Sequence, residues 1–250
     1  MKDKEKPLSR TLEEHMEGIA AQMERIIKAF DHAAPSYENW YTTPLGTYVL
    51  DSETNALGQL LPRRGLGVEI GAGTGIFSRR LSTNERRITC IEPSIDMTVE
   101  LAKKPIQTVI GLAEKPPLRA SCLDFAYLVT VVEFLEEPAR AFRSIRNLLR
   151  RKATLVVLAI NRKSPWGELY QEAATRTDSV FRFSTLYTPP ELTHMLKESG
   201  YSVSQCLMTL ETAPESFSPL EPKTYPCEAL PDGGVFVLQA IPAEEQKRTK

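Results

Sequence analysis

Three glycines within five residues constrain this chain more than any other feature. The run Val68-Glu-Ile-Gly-Ala-Gly-Thr-Gly75 follows a short apolar stretch at 66–70 and leads into a helical stretch at 75–81. Turning sharply from a strand into a helix requires backbone conformations that a Cβ obstructs, and glycine supplies them. The start of the helix also leaves unpaired N–H groups facing any ligand that rests on the glycines. Such a strand–turn–helix unit belongs to parallel sheets covered by helices.

The rest of the chain repeats the alternation. Strands are expected at 87–91, 106–110, 123–129 and 153–160, and helices at 94–103 and 137–149. Ser94 is a suitable N-cap. The stretch 153–160 is continuously apolar, as in a strand buried on both faces. Residues 161–186 read as an insertion with some helix. Pro190 opens a helix to Ser199 that Gly200 stops, and 201–208 and 235–241 read as final strands. The Pro-rich connection 213–234 is long for a hairpin and reads as a functional or poorly ordered loop.

Residues 1–8 are charged and expected to fray. In 11–30 the residues Leu12, Met16, Ile19, Met23, Ile26, Ile27 and Phe30 recur at helical spacing. This stripe suits core or lid packing; the mixed charges opposite it disfavour a membrane surface. Residues 31–50 carry Tyr37, Trp40, Tyr41 and Tyr48 among Pro35, Pro44 and Gly46. The mixture suits a partly ordered loop folding over a pocket, or rings that pack the helix onto the body.

A net charge of −1 over 250 residues argues against a general polyanion binder. The basic run Arg140, Arg143, Arg146, Arg150, Arg151 and Lys152 reads as a solvated helix face with cations at its C-terminus, so no nucleic-acid partner is expected. Cys90, Cys122, Cys206 and Cys227 lack metal-clip spacing; reduced thiols, no disulfide framework and no metal are expected. No apolar run approaches the ~20 residues of a membrane span. The charged first residues lack the apolar core of a secretory signal, so a cytoplasmic location is expected.

Two cofactor classes use a glycine turn of this kind. The dinucleotide fingerprint needs a third glycine where this chain has Ile76. Glu69 would also repel a pyrophosphate, whereas it suits a cationic ammonium or sulfonium. Glu92, at the end of the second strand, suits the two hydroxyls of a ribose in either class.

Val68–Gly75 resembles the first motif of class I S-adenosylmethionine-dependent methyltransferases. Cys90-Ile-Glu-Pro-Ser-Ile-Asp-Met97 resembles their ribose-binding motif, and Gly111-Leu-Ala-Glu-Lys-Pro-Pro-Leu118 their adenine-flanking segment. The stretches 123–138, 187–192 and 198–201 resemble the fourth strand with its loop, a late helix and the sixth strand. The resemblance covers about residues 30–210 and is closest to the ubiquinone/menaquinone-biosynthesis-like small-molecule branch. It implies an α/β fold with a Rossmann-like class I methyltransferase sheet. That sheet is mostly parallel, with seven strands, the last antiparallel, helices on both faces and an N-terminal helical lid. The expected division is 1–50 for helix and lid, and 51–250 for the α/β domain with an insertion at about 161–187.

The resemblance also implies roles. Glu69 contacts the methionine ammonium, directly or through water. Gly71, Ala72, Gly73 and Gly75 form the floor. Glu92 holds the ribose, and Pro93, Met97, Ala113 and Glu114 border the adenine. Thr130 lines the methionine end, and Tyr37, in a lid-like segment, covers the cofactor. The chain departs from the pattern at Lys115-Pro-Pro-Leu118, and at Phe134, where relatives often place a histidine.

The implied activity is in-line methyl transfer to a small-molecule acceptor, in which the protein mainly positions donor and acceptor. A general base is needed only for an acceptor that arrives protonated. Of His15, His32 and His194, His32 lies beside the lid and is the catalytic candidate. Tyr37, Tyr41, Glu133, Arg162 and Trp166 are candidates to face the acceptor. Trp166, Tyr170, Phe181 and Phe183 suit an apolar acceptor wall, or a packed surface subdomain. The alternatives are a cofactor-binding scaffold without catalysis, an NAD-type oxidoreductase, and a methyltransferase acting on protein or RNA.

Overall fold

The computed structural model describes residues 8–216 and 221–243, with side chains from residue 16 onward. Most of the charged start expected to fray, and the side chain of Leu12, lie outside the described residues. The chain opens with α1 (Leu8–Ala33), a 3₁₀ helix (Ala34–Thr42) and α2 (Pro44–Leu60). The partly ordered loop expected over 31–50 is therefore helical. Thr43 caps α2 by accepting from the Gly46 N–H at 3.0 Å, and Pro44 takes the first turn, where a missing N–H costs nothing. A Cβ on Gly46 would collide with the Trp40 carbonyl, so the two helices meet at a glycine.

There follow β1 (Gly65–Ile70), α3 (Ile76–Leu81), β2 (Arg86–Glu92), α4 (Ile95–Ala102), β3 (Gln107–Ile110), β4 (Leu123–Val129), α5 (Pro138–Leu148) and β5 (Leu149–Ile160). The insertion contains α6 (Pro165–Ala173) and a 3₁₀ turn (Val180–Phe183). The chain then runs through α7 (Pro189–Glu198), β6 (Tyr201–Thr209), β7 (Tyr225–Pro226) and β8 (Val235–Pro242). Ser94 caps α4 as expected, accepting from the Met97 N–H at 3.1 Å.

The sheet order is β3-β2-β1-β4-β5-β8-β6-β7. The first five strands pair in parallel, and β8 inserts antiparallel between β5 and β6. The expected seven-stranded sheet with its antiparallel last strand is present. A two-residue eighth strand, β7, is added at the edge on β6.

β5 shows how the sheet is sandwiched. Leu155, Val157 and Ala159 pack on the face covered by Phe142 and Ile145 of α5 and Leu192 and Leu196 of α7. Val156, Leu158 and Ile160 pack on the opposite face, against Leu50 and Leu57 of α2 and Phe77 of α3. Period-two alternation explains the split, and burial on both faces explains the continuous apolar sequence. Each fully buried large side chain contributes roughly 1.5–3 kcal/mol, so a one-residue slip of β5 is heavily disfavoured.

Three expectations are corrected. The basic run is not one helix face: α5 ends at Leu148, and Arg150, Arg151 and Lys152 begin β5. Arg140 pairs with Glu137, Arg150 with Asp124, and Arg146 donates to the carbonyls of Gly200 and Ala243 at 3.0 and 3.2 Å. The four thiols are not all reduced either, since Cys206 and Cys227 form a disulfide with their Cα atoms 5.5 Å apart. The Leu207–Pro226 pairing of β6 with β7 brings the cysteines together, and spacing alone does not reveal it. Within the connection, Tyr225 and Pro226 are accordingly tied down by pairing with β6 and Cys227 by the disulfide. Among the described residues no helix is long and apolar enough to cross a membrane.

Candidate active site

β1 ends at Ile70, and the chain reverses through 71–75 into α3. Gly71, Gly73 and Gly75 take φ of 67°, 55° and 74°, a region that disfavours side chains. Gly71 is crowded as well, since a Cβ there would lie 2.5 Å from Val131 Cγ2. At Gly73 the nearest neighbour of such a Cβ is Met97 Sδ at 4.0 Å, so the backbone faces open space. The Gly71 and Ala72 N–H groups donate to the Ile91 carbonyl at 2.8 and 3.1 Å, pinning the turn to β2.

Glu92 closes β2 and is buried. Its Oε2 accepts from the Gly73 N–H at 2.7 Å and its Oε1 from the Ser94 N–H at 2.8 Å. One carboxylate thus joins the glycine turn to the start of α4, and each oxygen keeps a lone pair for a ligand hydroxyl. Burial, with a contribution from Asp31, pushes its pKa up to about 7 against the pull of the two N–H donors.

A cleft of about 790 Å³ opens over this turn, at the carboxyl ends of β1, β2 and β4. The strand order reverses there, between β1 and β4, where open α/β sheets bind ligands. Gly71, Gly73, Glu92, Pro93, Met97, Ala113, Glu114 and Thr130 line the cleft, with Tyr37, Ile26 and Phe30 from the N-terminal elements. Nine of the twelve residues expected at a cofactor therefore converge. Thr130 takes φ of +49°, a strained conformation for a β-branched residue, at the tip of β4.

Glu69, Ala72 and Gly75 do not line the cleft. Ala72 is buried beside Cys90 and Leu101, and Gly75 caps α3. The Glu69 carboxylate accepts from Ser78 Oγ and, at 2.9 Å, from the Tyr127 hydroxyl. Those partners sit on α3 and β4, and burial pushes the pKa of Glu69 up to about 7. Its side chain therefore braces the turn from behind, and direct contact with a ligand ammonium is not what this position offers. Ser78 and Tyr127 were not singled out by sequence reasoning.

A second chamber of about 1650 Å³, its open mouth included, adjoins the cleft, and Tyr37 and Thr130 line both. Trp166, Tyr170 and Phe181 of the insertion form part of its wall, with Tyr41 and Glu53 opposite. Phe183 instead lies under the Arg182 guanidinium, 4.5 Å from its ring centroid. Arg162 faces Glu191 at 2.6 Å and the Leu186 carbonyl, outside the chamber. His32 is exposed and lines neither space, so its position does not suit it to take a proton from an acceptor.

Glu53 was not expected. It stands on the buried face of α2 with Val49, Leu50, Ala56 and Leu57, an acid set in an apolar stripe. It is 4% exposed, and among the described residues nothing donates a hydrogen bond to it. Burial, reinforced by Glu133, pushes its pKa up to about 8. Glu133 is also buried; its Oε1 accepts from the Ile160 N–H at 2.8 Å, while its Oε2 has no partner among the described residues. Burial pushes the pKa of Glu133 up to about 7.

The N-terminal elements are latched onto the body by polar contacts. Asp31 accepts from Ser94 Oγ at 2.6 Å. Lys104 pairs with Glu38 of the 3₁₀ helix and donates to the Thr74 carbonyl of the glycine turn at 2.5 Å.

A parallel sheet with an antiparallel β8, a glycine turn after β1 and an acid closing β2 define a class of protein: the class I, Rossmann-like methyltransferases. A family model described as a methyltransferase domain matches residues 68–157, from the glycine turn through most of β5. A crystal structure from Thermotoga maritima matches with a TM-score of 0.76 and 28% identity over 86% of this chain and 99% of that one. It is described as an S-adenosylmethionine-dependent methyltransferase, possible histamine N-methyltransferase. The chain is an S-adenosylmethionine-dependent methyltransferase with a class I, Rossmann-like fold, and S-adenosylmethionine is its cofactor.

Two sequence relatives carry no activity in their descriptions. A Methanocaldococcus jannaschii protein is 26% identical over 86% of this chain and 98% of its own length. A Mycobacterium tuberculosis protein is 30% identical over 72% of this chain, which spans 62% of that relative. The cleft fits the cofactor in this chain's own residues: open space over Gly73, an acid with free lone pairs at Glu92, and an apolar slot at Met97 and Ala113.

Proposed function

We propose that this methyltransferase acts on a small molecule held in the second chamber. The observation that carries the proposal is that Tyr37 and Thr130 line both the cleft and the chamber, so the two spaces meet where a donor and an acceptor must. When bound, S-adenosylmethionine supplies a methyl carbon activated by positive sulfur. Gly71 and Gly73 form its floor, Glu92 accepts from the ribose hydroxyls, and Pro93, Met97, Ala113 and Glu114 flank the adenine. Residues 1–50, with Tyr37 and the Asp31 and Lys104 latches, act as a lid that excludes water. Glu69, Ala72 and Gly75 act indirectly, by fixing the turn.

The aromatic wall that Trp166, Tyr170 and Phe181 build inside the chamber supports a small acceptor rather than a macromolecule. So do the motif resemblance to the ubiquinone/menaquinone-biosynthesis-like branch and the description of the Thermotoga protein. The test is calorimetric titration with S-adenosylmethionine, with NAD as control and Glu92→Ala alongside, followed by methyl transfer from labelled cofactor to small-molecule pools. Binding that Glu92→Ala abolishes, with label appearing in small molecules, supports the reading. Label confined to protein or RNA overturns it.

A further inference from the structure

We infer that the acceptor is an amine that enters the second chamber as an ammonium, with Glu53 as the group that holds it and receives its proton. This rests on the methyl-transfer reading above.

The geometry gives the reason. Glu53 is a buried carboxylate in the chamber wall with no hydrogen-bond donor among the described residues. Such a group destabilises the protein unless something arrives to satisfy it. Among the described residues nothing does so. Arg176, a cation in the same wall, is exposed and pairs with Asp178 at 3.8 Å. The neighbours of Glu53 add to the demand for a cation. Glu133, a second buried carboxylate whose Oε2 has no partner among the described residues, adds its charge at Glu53 although it does not line the chamber. Tyr37, Tyr41 and Tyr170 line the same chamber as Glu53. Carboxylates among aromatic faces suit an ammonium twice over, through charge pairing and through cation–π attraction. A neutral alcohol or phenol would gain no charge pairing from Glu53, and a carboxylate acceptor would be repelled by its ionised form.

Glu53 also serves the chemistry. An ammonium has no electron pair to offer. One N–H bond breaks as a Glu53 O–H bond forms, and the nitrogen pair stays on nitrogen. That pair then forms the bond to the methyl carbon as the carbon–sulfur bond breaks, its electrons remaining on sulfur. The positive charge lost at sulfur reappears on the methylated nitrogen, and the carboxyl later returns its proton to solvent. With its pKa pushed up to about 8, Glu53 is matched to this exchange near neutral pH.

The test is calorimetric titration of the full chain at pH 7.5, both free and loaded with S-adenosylhomocysteine. The probes are 2-phenylethylamine, tyramine and tryptamine, with 2-phenylethanol and 3-phenylpropionate as matched controls. At least one amine is expected to bind at least tenfold more tightly than the controls. Its enthalpy should depend on the buffer, because the ammonium displaces the proton that Glu53 holds in the empty chamber. Glu53→Gln is expected to weaken that amine at least tenfold and leave the affinity for S-adenosylhomocysteine unchanged. Failure of all three amines to bind, alcohol binding that matches amine binding, or an unchanged affinity in Glu53→Gln overturns the inference. The comparison of amine with alcohol on the unaltered protein decides the matter even if the variant does not fold. Loss of S-adenosylhomocysteine binding is read separately and counts against the methyl-transfer reading alone.

Discussion

The ring of Phe134 stands edge-on to that of Phe30, with centroids 5.0 Å apart and planes at 82°. On its other side Phe134 meets Phe181 at 5.7 Å, and Phe181 meets Tyr170 at 4.4 Å. A line of rings therefore runs from α1 across the loop after β4 to the insertion. Phe134, set where the motif resemblance leads one to expect histidine, joins α1 to the insertion through its ring. Aromatic pairs contribute about 0.5–1.5 kcal/mol each beyond area burial, and Phe134→Ala removes two of them. The variant is expected to fold, to bind S-adenosylhomocysteine roughly tenfold more weakly, and to expose α1 to protease. Calorimetry and timed proteolysis measure both effects. Unchanged affinity and protection would deny the ring that role.

Glu92 sets a pH dependence for cofactor binding. Its folded pKa is raised to about 7, chiefly by burial and then by Asp31, so the acceptor form that receives ribose hydroxyls grows as pH rises through 7. Affinity for S-adenosylmethionine is expected to rise between pH 6 and 8, by at most about tenfold per unit on the acid side. Glu92→Gln should bind more weakly and with a flatter profile. Titrations at pH 6, 7 and 8 check this, and an equally steep profile in the variant would assign the dependence to another group.

Glu53 is expected to weaken the empty protein. Its folded pKa of about 8 lies above the ordinary value of 4.5, so the folded chain keeps a proton that the unfolded chain releases between those values. Stability is therefore full below pH 4.5 and is lost as pH rises through 8. Glu53→Gln removes the titration. At pH 8 the ligand-free variant should gain on the order of 2 kcal/mol, several degrees in Tm, while near pH 5 the gain should shrink. Thermal melts at the two pH values read the difference directly.

The sequence carried the frame of this molecule because the frame follows local rules. The apolar run of β5, the Ser94 cap and the glycine turn each report their own structure through periodicity or backbone need, and nine expected site residues meet in one cleft. What stayed hidden depends on contacts between distant segments. Glu69 reads as a ligand group, and only the fold shows that Ser78 and Tyr127 share its Oε2. Glu53 shows only as an acid in an apolar stripe, and Trp166 and Tyr170 join it in one chamber wall only once the insertion folds back on α2. His32 lies next to the lid in sequence yet points to solvent, because Asp31 takes the inward position and binds Ser94.

The disulfide offers a test of how separate the two ends of the sheet are. Cys206 and Cys227 join β6 to the segment beyond β7, at the opposite edge from β3, while the cleft lies over β1, β2 and β4. A cross-link that closes a loop with a sequence separation of 21 removes unfolded-state entropy worth about 3 kcal/mol in the chain-entropy model. The double variant Cys206→Ser/Cys227→Ser is expected to melt roughly 5–10 °C lower than the oxidised protein. Treatment of the unaltered chain with a thiol reductant should produce the same shift. Affinity for S-adenosylmethionine should stay within twofold in both cases, because β5 and β8 stand between the bridge and Thr130. A reduced protein that melts normally but binds cofactor poorly would mean that the edge strands hold the cleft in shape, and that the two ends of the sheet are coupled.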